Sequence, residues 1–305
     1  MKRPRLLPLL LYALFLAPLA AQSDRPLIIP ESQLPARHNV AVFGQKIMYY
    51  DMGSGPVLVL VHGFGSEARF DWGNVLRPLA EKHRVIALDQ IGFGASDKPF
   101  IDYSIQTYVD FLGEFLRQLH VHEFTLAGES LGGWISALYT IESLDPGNTG
   151  PDALPKPKRL ILEDAAGMST DHFGNRAMPI PIAGTLADAH GVAIVFYNKS
   201  RVTEEVVREA WQMKMKANDG FTERSIWNNP KIPAEGVKER IGTITVPTLV
   251  VWGGNDELVP LEQGRAYAAG IPGARLVIVP ECGHAPSVEK PKDFLAAFLP
   301  FVDGQ

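Results

Sequence analysis

The stretch Glu123-Phe124-Thr125-Leu126-Ala127-Gly128-Glu129-Ser130-Leu131-Gly132-Gly133-Trp134 decides the fold. Phe124 to Ala127 are apolar or β-branched, as a covered parallel strand requires. Gly128-Glu129-Ser130-Leu131-Gly132 fits the pattern G-x-S-x-G, in which a serine sits on a sharp turn between strand and helix. Glycines two residues to either side let the strand and helix approach closely. The turn lifts the hydroxyl toward a base and leaves the Leu131 amide at a helix start, without an intrahelical partner. Trp134 to Glu142 has helical character.

A serine nucleophile needs a base, and the base needs an orienting acid. Val250-Val251-Trp252-Gly253-Gly254-Asn255-Asp256-Glu257 places an acid just past a strand end. Val277-Ile278-Val279-Pro280-Glu281-Cys282-Gly283-His284 places a histidine just past the next strand. Functional groups of open parallel sheets lie outside the C-terminal strand ends, where Ser130, Asp256 and His284 all fall. Glu163-Asp164 also ends a strand. Asp256 is the expected acid, with Asp164 as a polar strand terminus.

Outward from this centre, Asn39 to Phe43 and Lys46 to Met52 read as a hairpin. Val57 to Val61 is a buried strand ending in His62-Gly63-Phe64-Gly65. Phe70 to Lys82 has helical spacing, Arg84 to Leu88 is a strand, and Ser104 to Leu119 is an amphipathic helix. Arg159 to Glu163, Thr245 to Trp252 and Ala274 to Val279 are further strands, and Lys292 to Val302 closes the chain as a helix. The alternation predicts an α/β fold, a mostly parallel sheet with helices on both faces. The rhythm breaks once, between Glu163 and Thr245, where about eighty residues exceed any ordinary crossover. Their apolar content (Met168, Met178, Phe196, Tyr197, Trp211, Met213, Met215, Phe221 and Trp227) predicts a helical insertion over 168–240, with a core of 22–167 and 241–305.

The chain has 305 residues, 46% of them hydrophobic, which suits one large α/β domain with an insertion. A formal charge of −5 with no basic stripe argues against nucleic acid. One cysteine, Cys282, excludes an internal disulfide and a cysteine-based metal cluster. His120 and His122 are read as solvated, not as metal ligands. Met1-Lys2-Arg3-Pro4-Arg5, the apolar run from Leu6 to Ala17 and the small residues of Pro18 to Ser23 predict a secretory signal peptide over 1–21. The expected location is therefore the periplasm or the medium, with no stable membrane span once the signal is cleaved.

His62-Gly63-Phe64-Gly65, Asp89 to Asp97, Gly128 to Gly133, Trp252 to Asp256 and Gly283-His284 together resemble the α/β-hydrolase fold family, in its capped branch. The resemblance runs from about Asn39 to the C-terminus. It implies that Ser130 is the nucleophile, His284 the base and Asp256 the orienting acid. The backbone amides of Phe64 and Leu131 would form the oxyanion hole, and 168–240 would be a cap. Such chemistry requires neither metal nor organic cofactor. Serine at the elbow argues against the dehalogenase and epoxide-hydrolase branches, which carry aspartate there. Three enzymatic readings stay open. A carboxylic-ester hydrolase acting on a small molecule with an apolar group is the default. Cys282-Gly283-His284 is similar to carbon–carbon hydrolases of ring-cleavage products, although those usually carry an amide and an aromatic where this chain has Glu129 and Ala285. Cofactor-free haloperoxidases share the triad. A catalytically idle binding module is the non-enzyme alternative, and no triad residue is missing here.

Overall fold

A computed structural model describes residues 26–170 and 182–304. The signal segment and Met178 lie outside the described residues. The chain forms strands β1 (His38–Val42), β2 (Gln45–Met52), β3 (Val57–Val61), β4 (Arg84–Leu88), β5 (Phe124–Glu129), β6 (Arg159–Glu163), β7 (Thr248–Gly253) and β8 (Arg275–Val279). They build one sheet in the order β1-β2-β4-β3-β5-β6-β7-β8. The β1–β2 and β2–β4 pairs are antiparallel, and every later pair is parallel.

Side chains alternate between two covered faces, as period two demands. Val59, Val61, Leu126 and Leu162 pack beneath α2 (Ile105–Gln118), α3 (Ser130–Leu144) and α6 (Leu261–Gly270). Leu58, Leu60, Ala127 and Ile161 face α1 (Ala68–Ala80) and α8 (Pro291–Val302). The short α7 (Pro286–Glu289) lies between β8 and α8. Ser104 starts α2 through a reciprocal capping box with Thr107, the local reason that helix begins there.

Most boundaries shift by one or two residues from the sequence reading, and two shift further. The helix after the elbow begins at Ser130 itself, not near Trp134. Gly132 and Gly133 fall inside that helix, where close neighbours leave no room for a side chain. A Cβ on Gly132 would strike the carbonyl oxygens of Val61 and His62, and one on Gly133 would strike Ala165. The strand expected from Thr245 begins at Thr248. Pro247 has no N–H to offer the ladder, though its carbonyl still accepts from the Leu160 N–H at 3.0 Å.

Between β6 and β7 the described chain contains α4 (Glu204–Ala217), α5 (Gly220–Asn228) and several 3-10 turns. Thr203 caps α4 through the Val206 N–H, and Asn218, in the left-handed region, ends it. α5 meets the core at Tyr103, whose N–H donates to Ser225 Oγ at 2.8 Å.

Candidate active site

Ser130 directly follows β5 and is the first residue of α3, with φ at +50°. That is a costly conformation for a residue with a Cβ, and the turn holds it there. Its carbonyl accepts the Ala166 N–H at 3.0 Å. Leu131 follows in the first turn of α3, so its N–H has no i−4 carbonyl within the helix. Across from it, the loop after β3 is pinned at several points. His62 is buried and bonded on both ring nitrogens, Nδ1 with Gly63 O at 2.8 Å and Nε2 with the Gln90 N–H at 2.9 Å. Gly63 N–H donates to Asp71 Oδ2 at 2.7 Å, leaving Phe64 as the next amide along the loop. The neighbouring 89–97 loop closes on Asp89, which accepts from the Ala68 and Ala95 amides and pairs with Arg37.

His284 follows β8 and is 6% exposed. Its N–H donates to Val195 O at 2.7 Å. Its Nδ1 lies 2.7 Å from Asp256 Oδ2, while Asp256 Oδ1 accepts the N–H groups of Leu258 and Val259 at 2.7 and 3.0 Å. An acceptor-only carboxylate at Nδ1 fixes the tautomer, so Nδ1 carries the proton and Nε2 presents its lone pair. Nε2 lies 3.3 Å from Glu129 Oε1.

Asp164, the other acid considered, is fully buried with φ at +42°. Its Oδ1 accepts the Gly253 N–H at 2.8 Å. Burial, then the neighbouring Asp256 and Glu163, push its carboxyl well up. It stands behind Asp256 rather than on the imidazole. Burial likewise raises Glu163 to about 8 and Glu129 well above the ordinary carboxylate range. Among the described residues, Asp164, Asp256 and His284 are the one set of three whose ligand atoms converge enough for a metal ion. Two of those atoms are already joined by the His284–Asp256 hydrogen bond. His120 and His122 are exposed, and Cys282 is buried with its thiol pushed up by desolvation.

Ser130, Leu131, Phe64 and His284 line one cavity of about 260 Å³. Its remaining wall is mostly apolar, and much of it comes from the segment between β6 and β7, including Ile182, Val192, Trp211 and Trp227. One end holds Lys214, which pairs with Asp219 and Glu223. Sequence reasoning missed that cluster, and it missed the approach of Glu129 to His284. The Glu129 carboxyl was visible beside the serine, but its direction depends on how the loop after β3 packs.

Residues 58–298 match the model of the Alpha/beta hydrolase family. The chain belongs to that family. It is a hydrolase, with the sheet order, elbow and loop placement described above. It is 26% identical over 275 residues to the 2-hydroxy-6-oxo-6-(2'-aminophenyl)hexa-2,4-dienoic acid hydrolase of Metapseudomonas resinovorans, covering 85% of this chain and 88% of that one. It is 28% identical over 284 residues to the 2-hydroxy-6-oxo-6-phenylhexa-2,4-dienoate hydrolase of Comamonas testosteroni, covering 84% and 91%. In fold it is similar to a meta-cleavage product hydrolase from Pseudomonas fluorescens, with a TM-score of 0.78 at 23% identity over 88% of this chain and 97% of that one.

Proposed function

We propose that this hydrolase cleaves a carboxylic ester, or a similar acyl bond, through an acyl-enzyme on Ser130. The observation that carries this reading is the imidazole of His284, held by Asp256 on Nδ1, with His284 and Ser130 lining the same cavity. Ser130 Oγ attacks the carbonyl carbon while Nε2 takes its proton. Asp256 stabilises the imidazolium, and the amides of Phe64 and Leu131 hold the oxyanion, typically the largest catalytic contribution. The carbon–oxygen bond then breaks, and Nε2 returns the proton to the departing alkoxide. Water, deprotonated by Nε2, attacks the acyl-serine, and the acid leaves with Ser130 restored.

The apolar wall supports a small-molecule substrate with a hydrophobic group, and residues 168–240 are proposed as the cap that encloses it. The relatives' names favour a second reading, in which the bond broken is the carbon–carbon bond of a ring-cleavage dienone. A panel of nitrophenyl esters of increasing chain length, run beside such a dienone, separates the two. A fluorophosphonate should label wild-type protein at Ser130 and leave Ser130→Ala unlabelled. Turnover by Ser130→Ala at the wild-type rate would end the serine mechanism, and dienone cleavage with no ester turnover would favour the second reading.

A further inference from the structure

Glu129 touches both halves of the proposed machinery. On one side its Oε1 lies 3.3 Å from His284 Nε2. On the other its carboxyl comes within hydrogen-bonding reach of Asp71. Asp71 is the residue that anchors the loop after β3, since its two oxygens accept the Gly63 N–H at 2.7 Å and the Ser66 hydroxyl at 2.6 Å. The packing is close enough to dictate a residue. A Cβ on Gly63 would strike Glu129 Oε2 and come within 3.1 Å of Ser130 Cβ, so the Glu129 carboxyl fills the space that this glycine leaves open.

We propose that Glu129 is a positioning residue that couples the oxyanion loop to the general base through Asp71. The inference rests on the serine-hydrolase reading of Ser130 and His284. The coupling needs a proton on Glu129. Two carboxyls in contact cannot both be ionised in a buried site without strong repulsion. Glu129 is 4% exposed, and burial holds its carboxyl well above the usual range. Asp71 from α1, with Glu163 and Asp164 from the end of β6, pushes the same way. His284, from the loop after β8, is the other titratable group that faces it. As a neutral acid, Glu129 donates its O–H to Asp71 and keeps Oε1 as the acceptor facing Nε2 when the imidazole is protonated. Ionised, it repels Asp71 and loosens the anchor on Gly63. The oxyanion loop is then unsupported, so activity falls as pH rises through the Glu129 titration.

Glu129→Gln keeps the shape, and its amide can donate to Asp71, but it does not titrate. The alkaline fall in kcat should therefore be present in wild type and absent from Glu129→Gln, while KM follows the same course in both. Glu129→Ala should lower kcat about 10²-fold across the pH range, the scale of losing an oxyanion donor. Imidazole ¹⁵N shifts of His284 read the coupling without turnover: a second alkaline inflection in wild type should vanish in Glu129→Gln. An identical alkaline limb in Glu129→Gln, or identical His284 titrations, would overturn the coupling even if every variant labels with fluorophosphonate. Failure of the wild type to label strikes the serine mechanism instead, and the His284 titrations still decide the role of Glu129.

Discussion

Asp256 and Asp164 share one buried cluster, yet only Asp256 meets the imidazole, at 2.7 Å. Asp256→Asn would support the wrong tautomer, which costs on the order of 10⁴ in turnover in a well-studied serine protease. Asp164→Asn replaces a carboxyl already held toward its neutral form, so its effect on turnover should be modest. Steady-state kinetics on both variants, with folding checked by circular dichroism, test this ranking, and the reverse order would move the acid to Asp164. Glu163 gives a stability prediction. It accepts the Ser287 N–H at 2.6 Å through Oε1, while its buried Oε2 has no hydrogen-bond partner. Unfolded, it would release its proton near the ordinary carboxylate value. Folded, it keeps the proton to about 8. Between these two values the folded state binds the extra proton, so rising pH favours unfolding. Glu163→Gln should flatten that dependence and add on the order of 1–3 kcal/mol at pH 8, read by denaturant unfolding. Ser130, Asp256 and His284 were legible because each is spelled out locally at a strand end. The contacts among Glu129, Asp71 and Glu163 were not, because they join side chains of separate elements.

The segment between β6 and β7 has two kinds of aromatic residue. Trp211, on α4, lines the cavity, whereas Phe196 is 1% exposed and packs with Val195, Ala285 and Val288. Its neighbourhood also holds the histidine loop. Val195 O accepts the His284 N–H, and the Glu289 carboxylate gathers the N–H groups of Tyr197, Asn198 and Gly283. Trp211→Ala should therefore widen the pocket and shift ester preference toward longer or bulkier chains with stability little changed. Phe196→Ala should cost about 3–5 kcal/mol of stability, as large-to-small core changes do. A calorimetric scan and an ester panel on each variant check this, and an unaltered substrate profile for Trp211→Ala would argue against the cap. The apolar count announced that this segment packs against something, but the 3-10 turn over Asp188–Val195 carries no helical period to read.

At the scale of the molecule, continuous apolar strands alternating with helices sufficed to foresee a sheet covered on both faces. Strand order was beyond them, since β3 sits between β4 and β5 through pairings that no local pattern encodes. Among the described residues no helix is long and apolar enough to cross a membrane. We propose export directed by residues 1–21, so protein recovered from the periplasm or medium should begin near Gln22 or Asp24 on N-terminal sequencing. An intact Met1 terminus in the cytoplasm would contradict it. The long excursion between β6 and β7 leaves and rejoins the sheet at neighbouring strands, paired from Leu160 with Thr248 to Glu163 with Val251. Because the two strands are parallel, its ends at Glu163 and Thr248 lie on neighbouring strands but about 10 Å apart along them, since Thr248 pairs with Leu160. Whatever is spliced between them leaves the register of the sheet, and the strand ends that carry serine, acid and histidine, where they were. On the proposed reading of this segment as the cap, it is an exchangeable cassette: descent could rewrite what the enzyme admits while keeping how it cuts.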